Sequence, residues 1–351
     1  LGHHQEDPGR AGRVGRVHEP AFLWLIAMTA VLSWALTGLA TWYAARAGLL
    51  DYPGERHSHR QPTPRGGGAG LVLALMIVTL WPAAGQVPAC WTACIAPGAV
   101  LLALIGWWDD HRSLGAGRRF LVQLAASSFL VWSAATAGWL EGALPMIMGG
   151  LFILWMTNLF NFMDGSNGMA GLQGIFAGCV LAWLFALSGD GSATLLALLL
   201  AAACAGFLPW NLGRARVFMG DVGSLTLGFC IGALLLYGVA SGALALPMAW
   251  LVMLVFLADA TLTLIARVIK GERWYNAHRQ HLYQRLIAHG WSHGRVAALY
   301  QAINLSLVLP GIGVAVEFPV LAWPTAIGMT LFFGLGWYVM SRKFGVLAQA
   351  G

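Results

Sequence analysis

Charged side chains are scarce in this sequence: only 10% of its 351 residues are Asp, Glu, Lys or Arg, against roughly a quarter in an ordinary soluble domain. A soluble globular protein is therefore excluded. The sequence also lacks the short segments of alternating polar and apolar residues that build membrane β-barrels. Cysteine is rare too, and the five cysteines lie in apolar stretches without the histidine spacing of a zinc site. They are interpreted as small buried residues: Cys90, Cys94, Cys179, Cys204 and Cys230.

Apolar residues make up 58% of the chain and fall in runs long enough to cross a bilayer, which takes about 20 residues per helix. These runs predict an all-α, polytopic integral membrane protein with about eleven transmembrane helices. The predicted spans are 21–45, 67–84, 89–107, 119–139, 145–161, 169–188, 192–209, 223–241, 244–268, 296–316 and 320–340. Residues 1–20 are interpreted as a disordered tail, because they are polar and rich in glycine and arginine, and residues 21–345 as a single transmembrane domain.

The basic residues are distributed unevenly among the connections between these spans. If the first span begins outside the cell, seventeen of the 20 basic residues lie in inner connections and none lies in an outer one. The other three, Arg10, Arg13 and Arg16, lie in the N-terminal tail. Cytoplasmic loops carry such an excess of Lys and Arg, so we predict a cytoplasmic C-terminus. The outer connections contain little beyond Glu141, Asp190 and Glu317, which indicates that function resides at the cytoplasmic surface.

Four carboxylates lie at the inner ends of the spans: Asp109 and Asp110 after the third, Asp164 after the fifth, and Asp221 before the eighth. Carboxylates at a membrane boundary repel one another and lose hydration, and a cation offsets both costs. Oxygen ligands of this kind suit Mg²⁺, or alternatively Mn²⁺, better than zinc. Each motif alone has a simpler explanation, such as a solvated helix end or an ordinary Asp-Gly turn. Their occurrence together favours a functional site.

The same inner face carries basic segments that would attract a polyanionic substrate. They include Arg56–Arg60, the Pro-Thr-Pro-Arg-Gly-Gly-Gly segment at 62–68, and the largest inner loop, at about 269–295. The positive-inside bias by itself accounts for some of these arginines. In the large loop, His278 and His281 could bind a metal, but phosphate contacts are favoured, with an ordinary interfacial helix as the alternative. The lone Asp259 inside the ninth span is expected to face the protein interior, where it has a packing partner or supports the site.

These ordered motifs resemble those of the polyprenyl-phosphate N-acetylhexosamine-1-phosphate transferases, a MraY/WecA-like membrane family, and most of all its WbpL-type branch, which initiates O-antigen synthesis. The resemblance runs from about residue 22 and includes 62–68, Asp109-Asp110, 158–168, 218–224 and 278–284. It implies that Asp109, Asp110 and Asp164 form a catalytic centre and that Asp221 is a ligand of Mg²⁺. It also implies substrate-binding or supporting roles for six further residues: Asn161, Asn167, Asn211, Phe218, Arg279 and His281. Phe218 would stack on uracil, and Arg279 and His281 would face the nucleotide diphosphate.

Two departures from the family pattern limit this transfer of roles. Asn167 stands where the family has a second aspartate, so it cannot act as an acid or base, although it can hydrogen-bond the nucleotide. Tyr283 and Gln284 stand where many relatives carry further histidines, so the roles of those histidines do not transfer.

The implied reaction is transfer of N-acetylhexosamine-1-phosphate from a UDP-sugar to undecaprenyl or another polyprenyl phosphate, with release of UMP, at the cytoplasmic face of a bacterial inner membrane. Asp109 is preferred for deprotonating or orienting the lipid phosphate, and single and double displacement both remain open. The expected partners are the lipid, the sugar donor and the membrane, with no nucleic acid, and a homodimer is left open. The alternative functions are a transporter or flippase for an anionic or lipid-linked substrate, and an inactive relative that assists assembly.

Overall fold

Each predicted span overlaps one or more helices in the computed structural model, which describes residues 19–52, 62–81, 91–273 and 278–345. The helices are α1 (Glu19–Arg46), α2 (Gly68–Leu80), α3 (Ala96–His111, preceded by a π-helical turn, Trp91–Ile95), α4 (Ala116–Thr136), α5 (Ala143–Met163), α6 (Met169–Leu187), α7 (Gly191–Asn211), α8 (Gly220–Ala240), α9 (Leu246–Val252), α10 (Leu254–Ile269), α11 (Leu282–Ala288), α12 (His293–Ile303, followed by a π-helical turn, Asn304–Val308), α13 (Leu309–Glu317) and α14 (Ala322–Lys343, preceded by a 3₁₀ turn, Pro319–Leu321).

The all-α polytopic class is confirmed, whereas the number eleven is not. In the described part of the chain, eight helical segments are long and apolar enough to cross a membrane. The helices α9 and α10, bent by 78° relative to each other, would together make a ninth. The helix α2 has 13 residues, which at 1.5 Å per residue span only about 20 Å. The predicted tail at 1–20 falls almost wholly outside the described residues, and α1 already begins at Glu19.

The helix α8 lies at the centre of the bundle, and fifteen of its 21 residues are buried. It packs between α3 and α5, and glycines permit the close approach on both sides. A methyl group at Gly106 of α3 would lie 2.5 Å from the backbone of Asp221 and Val222. The C-terminal end of α3 therefore meets the N-terminal end of α8, which brings three of the four predicted aspartates together.

The segment before α2 lies against the segment before α8. The strands β1 (Leu50–Asp51) and β2 (Thr63–Pro64) pair antiparallel, and the chain then turns through Gly66, which has a φ of +89°. The N–H of Gly68 donates to the carbonyl of Met219 over 2.8 Å. A Cβ at Gly68 would lie 2.8 Å from both the Met219 oxygen and the Gly223 nitrogen, so only glycine fits there. This contact explains the glycine-rich start of a helix, where glycine otherwise lowers stability.

Candidate active site

Asp110 connects α3 to the first turn of α8. Its Oδ1 accepts from the N–H of Asp221 over 3.2 Å, and its Oδ2 accepts from the N–H of Val222 over 3.3 Å. The first N–H groups of a helix have no partner within the helix, and the positive end of its dipole favours an anion. The carboxylate of Asp110 satisfies both needs, and it thereby fixes the position of Asp221. A side chain at Gly220, which has a φ of +74°, would lie 2.5 Å from Asp110 Oδ2.

Arg65 fixes the other side of the Asp109-Asp110 pair. Its Nη2 donates to the carbonyl oxygens of Asp109 and Asp110, each over 2.7 Å, and its Nε donates to the carbonyl of Asp110 over 2.9 Å. The Nε also lies 3.7 Å from the carboxylate of Asp110. These carbonyls belong to the last turn of α3, where a cation is favourable. The arginine of the Pro-Thr-Pro-Arg segment therefore positions the aspartate pair.

Asp221 has a hydrogen-bond donor at each carboxylate oxygen. Arg119 Nη1 donates to its Oδ2 over 2.7 Å and lies 3.3 Å from Asp109 Oδ2, so the guanidinium bridges the two acids. Asn161 Nδ2 donates to Asp221 Oδ1 over 2.9 Å and contacts the hydroxyl of Ser224 at 3.0 Å. The arrangement orients Asp221 and compensates its charge. In the sequence, Arg119 does not differ from the other basic residues of the inner connections.

Asp164 follows the last residue of α5 and lines a cavity of about 280 Å³. Burial raises the pKa of Asp164 well above its usual range, and the nearby carboxylates of Asp221 and Asp110 raise it further. The loop after Asp164 is fixed by Asn211, whose Oδ1 accepts from Gly168 N–H over 2.6 Å. Asn211 also donates to the carbonyl of Val217 over 2.9 Å, so it joins this loop to the segment before α8.

Phe218 is fixed through its backbone on both sides. Its N–H donates to the carbonyl of Pro64 over 2.8 Å, and its own carbonyl accepts from Gly67 N–H over 2.9 Å. The residue lines the cavity, where an aromatic face can stack on a planar base. Asn167, which also lines the cavity, donates from Nδ2 to the carbonyl of Gly213 over 2.8 Å.

The loop before α11 closes the remaining side of the cavity with Arg279, and α11 itself contributes Gln284 and Ile287. His281 is only 2% exposed and lies behind this wall, stacked between the rings of Phe162 and Tyr283. Burial lowers the pKa of His281, so its imidazole is neutral at physiological pH. Its Nδ1 has no hydrogen-bond partner among the described residues.

Eight of the ten predicted site residues line one cavity: Asp110, Asn161, Asp164, Asn167, Asn211, Phe218, Asp221 and Arg279. The other two lie beside it. Asp109 accepts from the N–H of Leu114 over 2.6 Å and faces Arg119, and His281 is buried as described. The preference for Asp109 as the group that contacts the lipid phosphate stays a prediction, as do the functional roles of all ten residues. The Arg56–Arg60 segment lies outside the described residues.

The chemistry of the cavity suits a hard divalent cation. Its acidic and amide side chains offer oxygen ligands, and none of the described residues that line it is histidine or cysteine. Within the described ranges, no group of three His, Cys, Asp or Glu side chains lies close enough to bind a metal ion unaided. Mg²⁺ is usually bound by one or two carboxylates with substrate phosphates and water. Asp221, the predicted Mg²⁺ ligand, lines this cavity, where it could hold the ion together with a phosphorylated substrate.

The fold and the cavity define a multi-pass membrane enzyme with an acidic and basic site at one end of its helices. The profile of glycosyl transferase family 4 matches residues 92–239, a range that includes all four aspartates. A decaprenyl-phosphate N-acetylglucosaminephosphotransferase of Mycolicibacterium smegmatis is 33% identical over 319 residues, which are 78% of each chain. A phospho-N-acetylmuramoyl-pentapeptide-transferase of Moorella thermoacetica is 30% identical over 73% of this chain and 85% of its own. The undecaprenyl-phosphate α-N-acetylglucosaminyl 1-phosphate transferase of Escherichia coli K12 is 26% identical over 86% of both chains. The chain belongs to this family of membrane phosphoglycosyltransferases.

Proposed function

We propose that this protein transfers an N-acetylhexosamine-1-phosphate from a UDP-sugar to a polyprenyl phosphate, undecaprenyl phosphate in particular, and releases UMP. The activities for which the relatives are named support a polyprenyl-phosphate acceptor and an amino-sugar phosphate. The main support for the proposal is the set of side chains that line the cavity. Acidic groups at Asp164 and Asp221, basic groups at Arg65 and Arg279, and the ring of Phe218 surround one space. A nucleoside diphosphate sugar requires this combination of base stacking, phosphate neutralisation and cation binding.

In this reaction an oxygen of the lipid phosphate attacks the β-phosphorus of the donor. A bond forms between that oxygen and the β-phosphorus, and the bond from the β-phosphorus to the bridging oxygen breaks, which leaves UMP. Asp221 would hold Mg²⁺, which would neutralise negative charge on the diphosphate and on the departing UMP. Arg279 would bind phosphate oxygens through charge-assisted hydrogen bonds, and Phe218 would stack on the uracil.

Asp164 lines the cavity, burial raises its pKa, and it lies outside the membrane-spanning helices. A carboxyl group of this kind can exchange a proton with a phosphate monoester, whose second pKa is about 6. We therefore assign the orientation of the attacking lipid phosphate to Asp164 together with Asp109, and the positioning of Asp221 to Asp110, Arg65 and Arg119.

We further propose that the site faces the cytoplasm of a bacterial inner membrane and that the product initiates a surface polysaccharide of the O-antigen type. The concentration of basic residues in the connections at the site end supports this orientation. The O-antigen assignment is supported only by the resemblance in sequence motifs.

The test is to follow the donor's β-phosphorus. Purified protein is incubated with Mg²⁺, undecaprenyl phosphate and UDP-N-acetylhexosamines labelled with ³²P at the β position. We expect the label in the lipid and UMP in solution, and we expect added UMP to reverse the reaction. Label recovered only in soluble UDP would instead identify a transferase that cleaves the sugar–oxygen bond. No consumption of donor with any UDP-sugar would favour a transporter or an inactive relative.

A further inference from the structure

Asp259 is a carboxylate that the proposed reaction does not use, although its position is costly. It lies in α10 and is only 2% exposed. A carboxylate inside an apolar helix requires partners that replace the lost hydration. Its five donors come from four helices: Leu282 N–H (2.7 Å) and Tyr283 N–H (3.2 Å) of α11, the Tyr300 hydroxyl (2.7 Å) of α12, the Thr263 hydroxyl (3.3 Å) of α10 itself, and Trp337 Nε1 (3.4 Å) of α14.

Two of these donors are the first backbone N–H groups of α11. A seven-residue helix is too short to be stable alone, so its placement depends on tertiary contacts. The carboxylate of Asp259 supplies such a contact at the beginning of the helix. Tyr300, which is 3% exposed, orients the same carboxylate oxygen that accepts from Tyr283.

The helix fixed in this way forms one wall of the active-site cavity. Gln284 and Ile287 of α11 line the cavity, and Arg279 lies just before the helix. Tyr283 extends the connection on the other side, because its hydroxyl donates over 2.9 Å to the carbonyl of Phe162, two residues before Asp164. A shift of α11 would therefore move the residues that face the donor, whereas the contacts among Asp110, Asp221 and Arg119 do not involve α11.

We propose that Asp259 is a positioning residue for the sugar donor: it fixes the beginning of α11 so that Arg279 and Gln284 face the nucleotide diphosphate. This proposal rests on the proposed function, because it takes the UDP-sugar as the ligand of the cavity. It requires that loss of the Asp259 charge weakens binding of the donor more than binding of the lipid acceptor.

The experiment compares Asp259→Asn with wild type in detergent-solubilised full-length protein. The measurements are the KM for UDP-sugar, the KM for polyprenyl phosphate, kcat, and the Kd for UDP by calorimetry. We expect both the donor KM and the UDP Kd to rise about tenfold, the effect of losing one charge-assisted hydrogen bond, with the lipid KM unchanged. Tyr300→Phe removes one hydrogen bond from the same carboxylate and should give a smaller rise in the same two constants.

The matched control is Asp190→Asn. Asp190 also accepts from a helix N–H, that of Ala193 (2.9 Å), and from a tyrosine hydroxyl, that of Tyr237 (2.7 Å), but it lies at the opposite end of α7 from Asn211. This control should leave donor and lipid constants unchanged.

Equal effects on the donor and lipid constants, or an unchanged UDP Kd in both folded variants, would overturn the proposal. If Asp259→Asn does not fold, Tyr300→Phe still decides the question. UDP binding is measured without turnover, so failure of the proposed reaction would appear separately, as a wild-type protein that binds UDP but releases no UMP.

Discussion

Removal of Arg119 tests the central feature of the site, the guanidinium group of Arg119 that bridges Asp109 and Asp221. The guanidinium lies 2.7 Å from Asp221 Oδ2 and 3.3 Å from Asp109 Oδ2. In Arg119→Ala the two carboxylates lose their shared donor and repel each other. We expect the protein to become less stable, and we expect a divalent cation to offset much of this loss, because it neutralises the same carboxylates.

The size of the effect follows from the contacts. A hydrogen bond to a charged group contributes about 1.5–3 kcal/mol, and the shorter of the two bonds belongs in this range. The Arg119 side chain is 31% exposed, so solvent screening reduces the sum, and we expect a loss of about 2 kcal/mol. Unfolding entropy of about 2.1 cal/mol/K per residue converts this loss to a shift of about 3 °C in the apparent Tm of a chain of this length.

The assay is thermal unfolding of wild type, Arg119→Ala and Arg118→Ala, each in EDTA and in excess Mg²⁺. Arg118 is the preceding residue and is exposed, so Arg118→Ala removes the same charge from the same end of α4 and should have little effect. The deficit of Arg119→Ala should be at least halved by Mg²⁺. An identical deficit in EDTA and in Mg²⁺ would refute the reasoning, because it would mean that Arg119 and the cation do not act on the same carboxylates.

Three further predictions follow from other parts of the structure. Gly68→Ala should separate α2 from α8 and reduce both Tm and activity. The control Gly328→Ala should affect neither, because this position of α14 is exposed and no atom lies within 4 Å of the added Cβ. Equal effects of the two variants on Tm would contradict the packing argument. Asp164→Asn should abolish turnover but raise Tm at neutral pH. The sign follows from the raised pKa of the folded state: the stability of wild type falls as pH rises above the ordinary carboxyl pKa of about 4, so the advantage of the variant should vanish toward that pH. The third prediction concerns the orientation in the membrane and uses a cysteine-free background with a membrane-impermeant thiol reagent. A cysteine introduced at Ser113 should react only from the cytoplasmic side, and one introduced at Ser188 only from the outside. The reverse pattern would overturn the proposed orientation.

The helices could be predicted from the sequence because long apolar runs in a bilayer must satisfy their own backbone hydrogen bonds. The sequence also contains the signal that ends α2, although the predicted span ran past it. The span was predicted to continue to residue 84, but α2 ends at Leu80, and Trp81 is extended with a ψ of 126°. Residue 82 is proline, and a residue before proline avoids the helical conformation.

The break between α9 and α10 has no comparable signal. Neither glycine nor proline lies at Met253, where the two helices meet at 78°. The broken helix is compensated from elsewhere in the chain: the buried Gln173 of α6 donates to the carbonyl of Val252 over 3.2 Å, and Asn304 donates to Gln173 over 2.7 Å. Such a tertiary hydrogen bond cannot be inferred from local periodicity, so the sequence predicted one continuous span.

In the candidate site, too, some features could be predicted from the sequence and others depend on tertiary contacts. The four aspartates were predicted from their positions at the ends of spans, since uncompensated carboxylates are costly there. Among their partners, Asn161 was predicted as a substrate-binding or supporting residue, and Arg65 only as part of the basic segment 62–68. Arg119 was not predicted, because it does not differ from the other arginines of the inner connections. Because the positive-inside bias places arginines in the inner connections, the sequence does not show which arginine contacts a site and which only sets the topology.

The distribution of these partners gives the four aspartates different roles. Asp110 accepts from two N–H groups of α8, Asp221 from Arg119 and Asn161, and Asp109 from Leu114 and Arg119. Among the described residues, no hydrogen bond reaches the carboxylate of Asp164, and burial and the nearby carboxylates raise its pKa. A group in this condition is stabilised either by a proton or by a cation, and both are supplied by the proposed reaction. The three hydrogen-bonded carboxylates therefore form a fixed frame, and the carboxyl group of Asp164 is left to interact with the substrates.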